Sequence, residues 1–525
     1  MNAIPWHILA PVGLAALWIA LRLAFRLPTL PPEPPLPPPQ DTPHCRIGRA
    51  IAGLEAAHPG LSGILPLSDS RGAYVARVKL IRAADVSLDV QYYIWREDVA
   101  GLLLLEELRE AADRGVRVRL LLDDNGIAKL DDELAALETH PNIEVRLFNP
   151  FVIRKPKIAG YLLDCFRLNR RMHNKSLTAD NQMTIIGGRN IGDEYFGPGD
   201  QPEFADLDVL AIGAIVPEMA ADFGRYWTSA SAYPAPLILP RAGPGAQAEV
   251  ARKTRALIET SSLARNYAAA VENDTRAGSY ADPLTHDDID YEWVPVTMLS
   301  DDPAKALGKE PRDPAPLGAI GAIMRETRQQ LGLVSAYFVP AKSGAAMFES
   351  LSAQGASVDV LTNALSSTDV AVVHAGYARY RKRLLRAGVR LWEMKGDAPR
   401  HPSTRSGVLG SLPRSSRSSL HAKTFTIDGR KLFVGSFNFD PRSMHLNTEL
   451  GFLMDSPVLA ERLQHLFNEP LRHRAYEVQL TPQGKLLWID ATPDGTVHHH
   501  HDPGATLLRR AQVVLWSMLP IEWLL

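Results

Sequence analysis

His173 and Lys175 are followed by Asp180 and then by Gly187-Gly188-Arg189-Asn190; the same order returns as His421, Lys423, Asp428 and Gly435-Ser436-Phe437-Asn438. Both stretches read H-x-K-x4-D-x6-G-[GS]-x-N with no insertion or deletion. One His-x-Lys pair on a strand is ordinarily surface; the duplication is what points to chemistry. Histidine and aspartate can ligate a metal, but each motif centres on a lysine, a cation that would repel one. The same lysines suit a phosphate, with the Asn190 and Asn438 amides and the backbone at Gly188 and Ser436 completing an oxyanion cradle. The pattern therefore points to phosphoryl or phosphatidyl transfer with no metal and no cofactor. The candidate catalytic set is His173, Lys175, Asp180, His421, Lys423 and Asp428.

Two histidines suffice for a ping-pong displacement. One neutral imidazole attacks phosphorus to give a phosphohistidine, while the other protonates the leaving alkoxide and then deprotonates the incoming hydroxyl. Each ring needs a carboxylate on its other nitrogen to fix the tautomer. The expected partners are Asp206 for His173 and Glu449 for His421, each the downstream carboxylate of its own half. Asp180 and Asp428 fall at turns, where a structural role is expected, pairing with motif or flanking cations.

These residues need strands to hold them. Val86–Trp95 alternates as a strand, Gly101–Arg114 reads as an amphipathic helix and Gly115–Asp123 as a buried strand, with Ile143–Phe148 beyond. The order repeats as strand Leu331–Val339, helix Ser343–Ala353, strand Gly355–Asn363, helix Val370–Arg386 and strand Gly388–Glu393. Such alternation predicts an α/β fold of two similar lobes with mixed sheets. Each motif sits on a hairpin, where His and Lys, two apart on a strand, share a face. Asp428-Gly429 is a strong turn pair. The expected organisation is an anchor (1–27), a proline-rich linker (28–45), a first lobe (46–240), a connection (241–315), a second lobe (316–495) and an apolar membrane-associated tail (496–525).

The flanks supply location. Ile8–Leu21 has no charged side chain and the apolar run reaches Leu27 past Arg22 and Arg26, close to the ~20 residues that cross a bilayer. No Lys or Arg precedes it, as a signal peptide would require, and the arginines after it place the catalytic part on the cytoplasmic side of a bacterial inner membrane. Pro28–Pro43 is an extended spacer. Leu507–Leu525, with Trp516 and Trp523, reads as a membrane-surface helix or as a helix packed on the core. The net charge of −2 supplies no field for nucleic acid. Cys45 and Cys165 cannot build a disulfide framework or a thiolate metal site, and the run His498–His501 reads as exposed and idle. No protein partner is legible.

The paired sets resemble the HKD signature of the phospholipase D superfamily. More narrowly, Val90-Gln-Tyr-Tyr-Ile-Trp95, Arg167-Leu-Asn-Arg-Arg-Met-His-Asn-Lys175, Asp369-Val-Ala-Val-Val-His-Ala-Gly-Tyr377 and Gly435-Ser-Phe-Asn-Phe-Asp-Pro-Arg-Ser443 are similar to the bacterial cardiolipin synthase C branch. The resemblance covers about Leu61 to the end. It implies two pseudo-twofold-related phospholipase D-like lobes with the active site at their interface. It also implies transfer of a phosphatidyl group to phosphatidylglycerol, from phosphatidylethanolamine or a second phosphatidylglycerol. His173 is then the nucleophile and His421 the acid/base. A hydrolytic phospholipase D, and less readily a phosphodiesterase nuclease, share the same core. A nuclease would want a basic cleft with stacking aromatics and no membrane segment.

Overall fold

The computed structural model describes residues 6–31, 42–197, 204–273, 289–309, 316–396, 419–467, 469–519 and 522. Most of the proline-rich linker (32–41) and the terminal Trp523–Leu525 lie outside these.

Two mixed sheets carry the fold. In the first, the parallel strands Ser87–Ile94, Arg117–Gly126 and Ile143–Phe148 lie side by side, and Ser176–Ala179, Met183–Gly187, Asp208–Gly213 and Ser62–Leu67 extend the sheet antiparallel beyond Ser87–Ile94. The second repeats the order. Its parallel strands are Gln330–Ser335, Ser357–Asn363 and Arg390–Met394, extended by Lys423–Ile427, Lys431–Gly435, Leu450–Asp455 and Val296–Ser300. The expected connection, 241–315, contributes an edge strand to each sheet, Glu292–Val294 to the first and Val296–Ser300 to the second. Gly495–His499, which carries part of the histidine run, adds a strand at the far edge of the second sheet. The helix expected over Val370–Arg386 is two, Ala371–Ala378 and Arg381–Arg386, the break falling where Arg381 turns in to Glu393 at 2.9 Å.

The period of two along the parallel strands decides which side chains meet across the lobes. Val118, Leu120 and Leu122 face the first lobe's helices, and Val358 and Val360 pack in the second lobe's own core. Leu121, Phe148, Ile186, Val209, Val334, Leu361 and Phe452 instead share one cluster drawn from both lobes. Central strands are thus apolar on both faces, as parallel strands covered on both sides must be. Each buried Leu or Val contributes about 1.5–3 kcal/mol, so this joint core holds the lobes in fixed register. Backbone pairing adds to it: Ser419 and Leu420 ladder with Phe204 and Ala205, and Met172 bridges Thr448.

The described residues begin with one helix and close with another, Trp6–Ala24 and Leu507–Ser517. Trp6–Ala24 packs on Ile158–Leu168: Trp18 Nε1–H donates to the Leu162 carbonyl at 3.0 Å and Arg22 lies 3.6 Å from Asp164. The single-span anchor expected here is corrected. Among the described residues no helix is long and apolar enough to cross a membrane. Leu507–Ser517 packs on the second lobe, the second of the two alternatives expected for it. Val513 and Trp516 pack with Leu365, Ala371 and Ala375, while Leu507, Leu508 and Met518 stay exposed.

Candidate active site

Each motif runs along a hairpin, Ser176–Ala179 against Met183–Gly187 and Lys423–Ile427 against Lys431–Gly435. The histidine stands at one end and the aspartate at the other, roughly 20 Å away at ~3.3 Å per residue. Asp180 and Asp428 take a left-handed backbone, φ 52° in both, which aspartate tolerates better than most residues. Asp180 accepts the N–H groups of Asp85, Val86 and Ser87 at 2.9, 2.7 and 2.8 Å. Asp428 does the same for Arg328, Gln329 and Gln330, at 3.0, 2.7 and 2.9 Å. Each therefore pins the start of the neighbouring central strand. Their expected partners, side-chain cations, are replaced by backbone amides, and neither belongs with the reacting groups.

The histidines meet carboxylates, but across the lobe boundary. His173 Nδ1 lies 2.8 Å from Glu449 Oε2, and His421 Nδ1 lies 2.5 Å from Asp206 Oδ2. The expected pairing within each half is thus exchanged. The cause is the backbone: His173 N–H donates to the Thr448 carbonyl at 2.9 Å and His421 N–H to the Ala205 carbonyl at 2.7 Å, so each histidine is seated beside the other lobe's carboxylate.

The Gly-[GS] positions explain themselves here. A Cβ on Gly188 would stand 2.1 Å from Asp206 Oδ1. At the equivalent place Ser436 donates its hydroxyl to Glu449 Oε2 at 2.5 Å and accepts the Leu450 N–H at 3.0 Å. The Gly188 and Ser436 amides bond to the Leu207 and Leu450 carbonyls. Both positions therefore shape the carboxylates rather than cradle phosphate. Asn190 is likewise committed, accepting the Ile94 N–H at 3.2 Å and donating to the Tyr195 hydroxyl at 3.1 Å. Asn438 keeps its Oδ1 buried with no hydrogen-bond partner among the described residues.

Two rings flank the site that the motif alone did not single out. Tyr93 stands edge-on to His173, centroids 4.9 Å apart, and Tyr195 edge-on to His421 at 5.2 Å. Tyr93 lies within the quoted Val90–Trp95 string, two residues beyond Gln91 on the same strand face, so a signal for it existed. Tyr195 becomes visible only once Asn190 is seen to hold its hydroxyl.

All six central groups are buried: His173, Lys175, His421, Lys423, Asp206 and Glu449. Burial, then Lys175 and Lys423, pushes His173 well below the usual imidazole range. His421 is also lowered by burial and Lys423, with Asp206 opposing. The lysines donate to their own histidines' carbonyls, and Lys423 Nζ also lies 2.8 Å from His421 Nδ1. Burial brings Lys175 down to about 7 and Lys423 to about 8. The carboxylates diverge. Burial opposes charge on Asp206, yet Lys423 and His421 hold it well below the ordinary range; burial lifts Glu449 to about 7 against Lys175. One dyad thus has a firmly ionised partner and the other a carboxyl near its titration point.

The family model described as cardiolipin synthase, PLD-like domain, matches residues 78–227 and 320–471, one match on each sheet. The chain belongs to this family. It is 43% identical over 483 residues to cardiolipin synthase C of Escherichia coli (strain K12), covering 91% of this chain and 100% of that protein. An uncharacterized protein of Helicobacter pylori (strain ATCC 700392 / 26695) is 33% identical over 475 residues, 90% of this chain and 91% of its own length. The crystal structure of phosphatidylserine synthase from Haemophilus influenzae Rd KW20 superposes with a TM-score of 0.55 at 15% identity, over 91% of this chain and 100% of that one, a likeness of fold alone. The two-lobed α/β architecture expected of a cardiolipin synthase-type member of the phospholipase D superfamily is what the sheets display.

One other cluster has ligand types. His374, Glu393 and Asp502 converge, but the Arg381 guanidinium fills the space between them, 2.9 Å from Glu393, 2.8 Å from Asp502 and 2.5 Å from His374. It ties the C-terminal segment to the second lobe.

Proposed function

We propose that the protein is a phosphatidyltransferase that makes cardiolipin at the bacterial inner membrane, where its donor and acceptor lipids lie. The observation that carries the reading is the pair of cross-lobe dyads with unequal carboxylates. His173, neutral and with Nδ1–H donating to Glu449, presents the Nε2 lone pair to the phosphorus of phosphatidylethanolamine or phosphatidylglycerol. The P–O bond to the headgroup breaks, and His421 gives its Nε2 proton to the departing ethanolamine or glycerol oxygen. Asp206, ionised beside Nδ1, stabilises the imidazolium before that transfer, as the aspartate of a serine-protease triad does. A glycerol hydroxyl of a second phosphatidylglycerol then loses its proton to His421 and attacks the phosphohistidine, which frees His173 and releases cardiolipin.

Lys175 and Lys423 neutralise the phosphate oxygens in a site dry enough to strengthen each contact. Holding the acceptor hydroxyl in place raises its effective concentration by orders of magnitude over bulk reactants, which lets an alcohol compete with water.

The test incubates the full chain with phosphatidylglycerol vesicles, with and without phosphatidylethanolamine, and resolves the lipid products. Cardiolipin is expected in both, faster with the ethanolamine lipid if that is the donor. Phosphatidic acid alone would overturn the synthase reading in favour of a hydrolase.

A further inference from the structure

The helix that leads into the first catalytic histidine turns its apolar side chains outward. On Ile158–Leu168, Ile158, Leu162 and Phe166 are 73%, 79% and 75% exposed. Ile158 and Leu162 stand one turn apart before a kink at Asp164 (φ −145°, ψ 48°) and Phe166 follows it, and all three stay exposed rather than packed. Alongside lies Trp6–Ala24, joined through Trp18 and Arg22, with Leu14, Leu17 and Leu23 also 56–67% exposed. Two helices in contact thus both present exposed apolar side chains, of the kind that marks an interaction site.

The rim decides between occupants. From 154 to 171 the chain holds six cations; Arg154 and Lys157 pair with Asp124 and Asp131 and Arg171 is buried against Asp123, which leaves Lys155, Arg167 and Arg170 against the segment's one acid, Asp164. That acid is already answered by Arg167 at 2.6 Å and Arg22 at 3.6 Å. Lys155, Arg22 and Arg26 are exposed. Exposed apolar side chains with a cationic border fit the acyl boundary and phosphate layer of an anionic bilayer.

Connection to the site is rigid. Asn149 Nδ2 donates to the Arg167 and Arg170 carbonyls at 2.9 and 2.6 Å. From the other lobe Arg442 donates to Asn169 Oδ1 and its carbonyl at 2.8 and 2.7 Å. Seven residues separate Phe166 from His173, a reach of at most about 25 Å even fully extended, within the ~30 Å of a hydrocarbon core.

We infer that Ile158–Leu168 is a monotopic element that dips into an anionic phospholipid bilayer and sets the depth at which lipids enter the cleft. It rests on the lipid substrates proposed above, but its test does not require turnover.

Cys165 is exposed on the same helix while Cys45 is buried, so the full chain takes an environment-sensitive NBD fluorophore at Cys165 alone. On adding phosphatidylglycerol/phosphatidylethanolamine vesicles the emission should shift to the blue and brighten several-fold. Leu162→Glu with Phe166→Glu should weaken vesicle binding at least tenfold in co-sedimentation and leave turnover of a monomeric short-chain phosphatidylglycerol intact. Vesicle binding with no change at the Cys165 probe would overturn the inference, because membrane contact would then lie elsewhere. A blue shift without vesicles, at concentrations where the mass in solution doubles, would also overturn it, assigning the face to a second copy of the chain. Failure of cardiolipin synthesis alongside a normal probe response would strike the proposed reaction and leave this element standing.

Discussion

Asp206→Asn keeps the shape beside His421 and removes the charge. Asp206 is fully buried and sits 2.5 Å from His421 Nδ1, so the imidazolium that must form before headgroup release loses a desolvated counter-ion. Breaking one side of a buried ion pair costs about 3–5 kcal/mol. At 1.36 kcal/mol per decade the first half-reaction should slow by about 10²–10⁴-fold with a phospholipid donor. The assay compares that donor with a p-nitrophenyl phosphodiester, whose phenolate departs without a proton. Because the defect lies in the acid, Asp206→Asn should recover most of its single-turnover burst on the activated ester. Glu449→Gln disturbs the nucleophile instead, through the 2.8 Å contact to His173, and should stay slow on both. The opposite pattern, with Glu449→Gln rescued and Asp206→Asn not, would reverse the histidine roles. Equal loss on both esters for both variants would refute the division of labour altogether.

Three further outcomes follow from the same geometry. Lys175 and Lys423, at about 7 and about 8, must be protonated to hold phosphate, while His173 is neutral far into the acid range. His421 must also carry a proton to act as the acid, and burial and Lys423 lower it, so the pH profile of kcat/KM at fixed lipid mole fraction should fall from pH 6 through 8 with no plateau near 6; a profile that climbs over that interval contradicts the assignment. Gly188→Ala places a Cβ 2.1 Å from Asp206 Oδ1 and should copy the Asp206→Asn signature, including rescue by the activated ester, whereas a wild-type rate on phospholipid would show that the contact does not matter. Asp180→Ala frees three backbone N–H groups that a charged acceptor holds at about 1.5–3 kcal/mol each. Urea unfolding should show a loss of about 3 kcal/mol or more with turnover per folded molecule within a few-fold of wild type, and a collapse of turnover at unchanged stability would make Asp180 catalytic after all.

What could be read in advance divides by whether the governing contacts are local. The hairpins were legible because turn chemistry at Asp428-Gly429 and strand alternation act within a few residues. The repeat made the lobes legible, and the lysines made a phosphate legible, since charge type needs no neighbour to be known. Both orienting carboxylates were also visible, but their partners were not. Nothing near Asp206 in the chain says that the Ala205 carbonyl will take the His421 N–H; that follows only from the Ser419–Leu420 ladder with Phe204–Ala205. Asn190, Gly188 and Ser436 suit a phosphate in the sequence for the same reason: their small or amide side chains fit either role until Tyr195, Asp206 and Glu449 are seen beside them. The outward side chains of Ile158, Leu162 and Phe166 are the converse case, since an apolar residue on a helix is buried only if something lies opposite.

The exchange of carboxylates also bears on why the motif is doubled within one chain. Had each histidine been oriented by its own lobe, either lobe would hold a complete dyad, and docking would serve only to bring two working halves together. With Asp206 on His421 and Glu449 on His173, neither lobe carries a histidine in a fixed tautomer until the joint core around Leu121, Val334 and Leu361 has formed. Catalytic competence and lobe docking then become one event. A substitution in that core, far from phosphorus, should lower the rate by loosening both dyads together, whereas a change at either carboxylate loosens one.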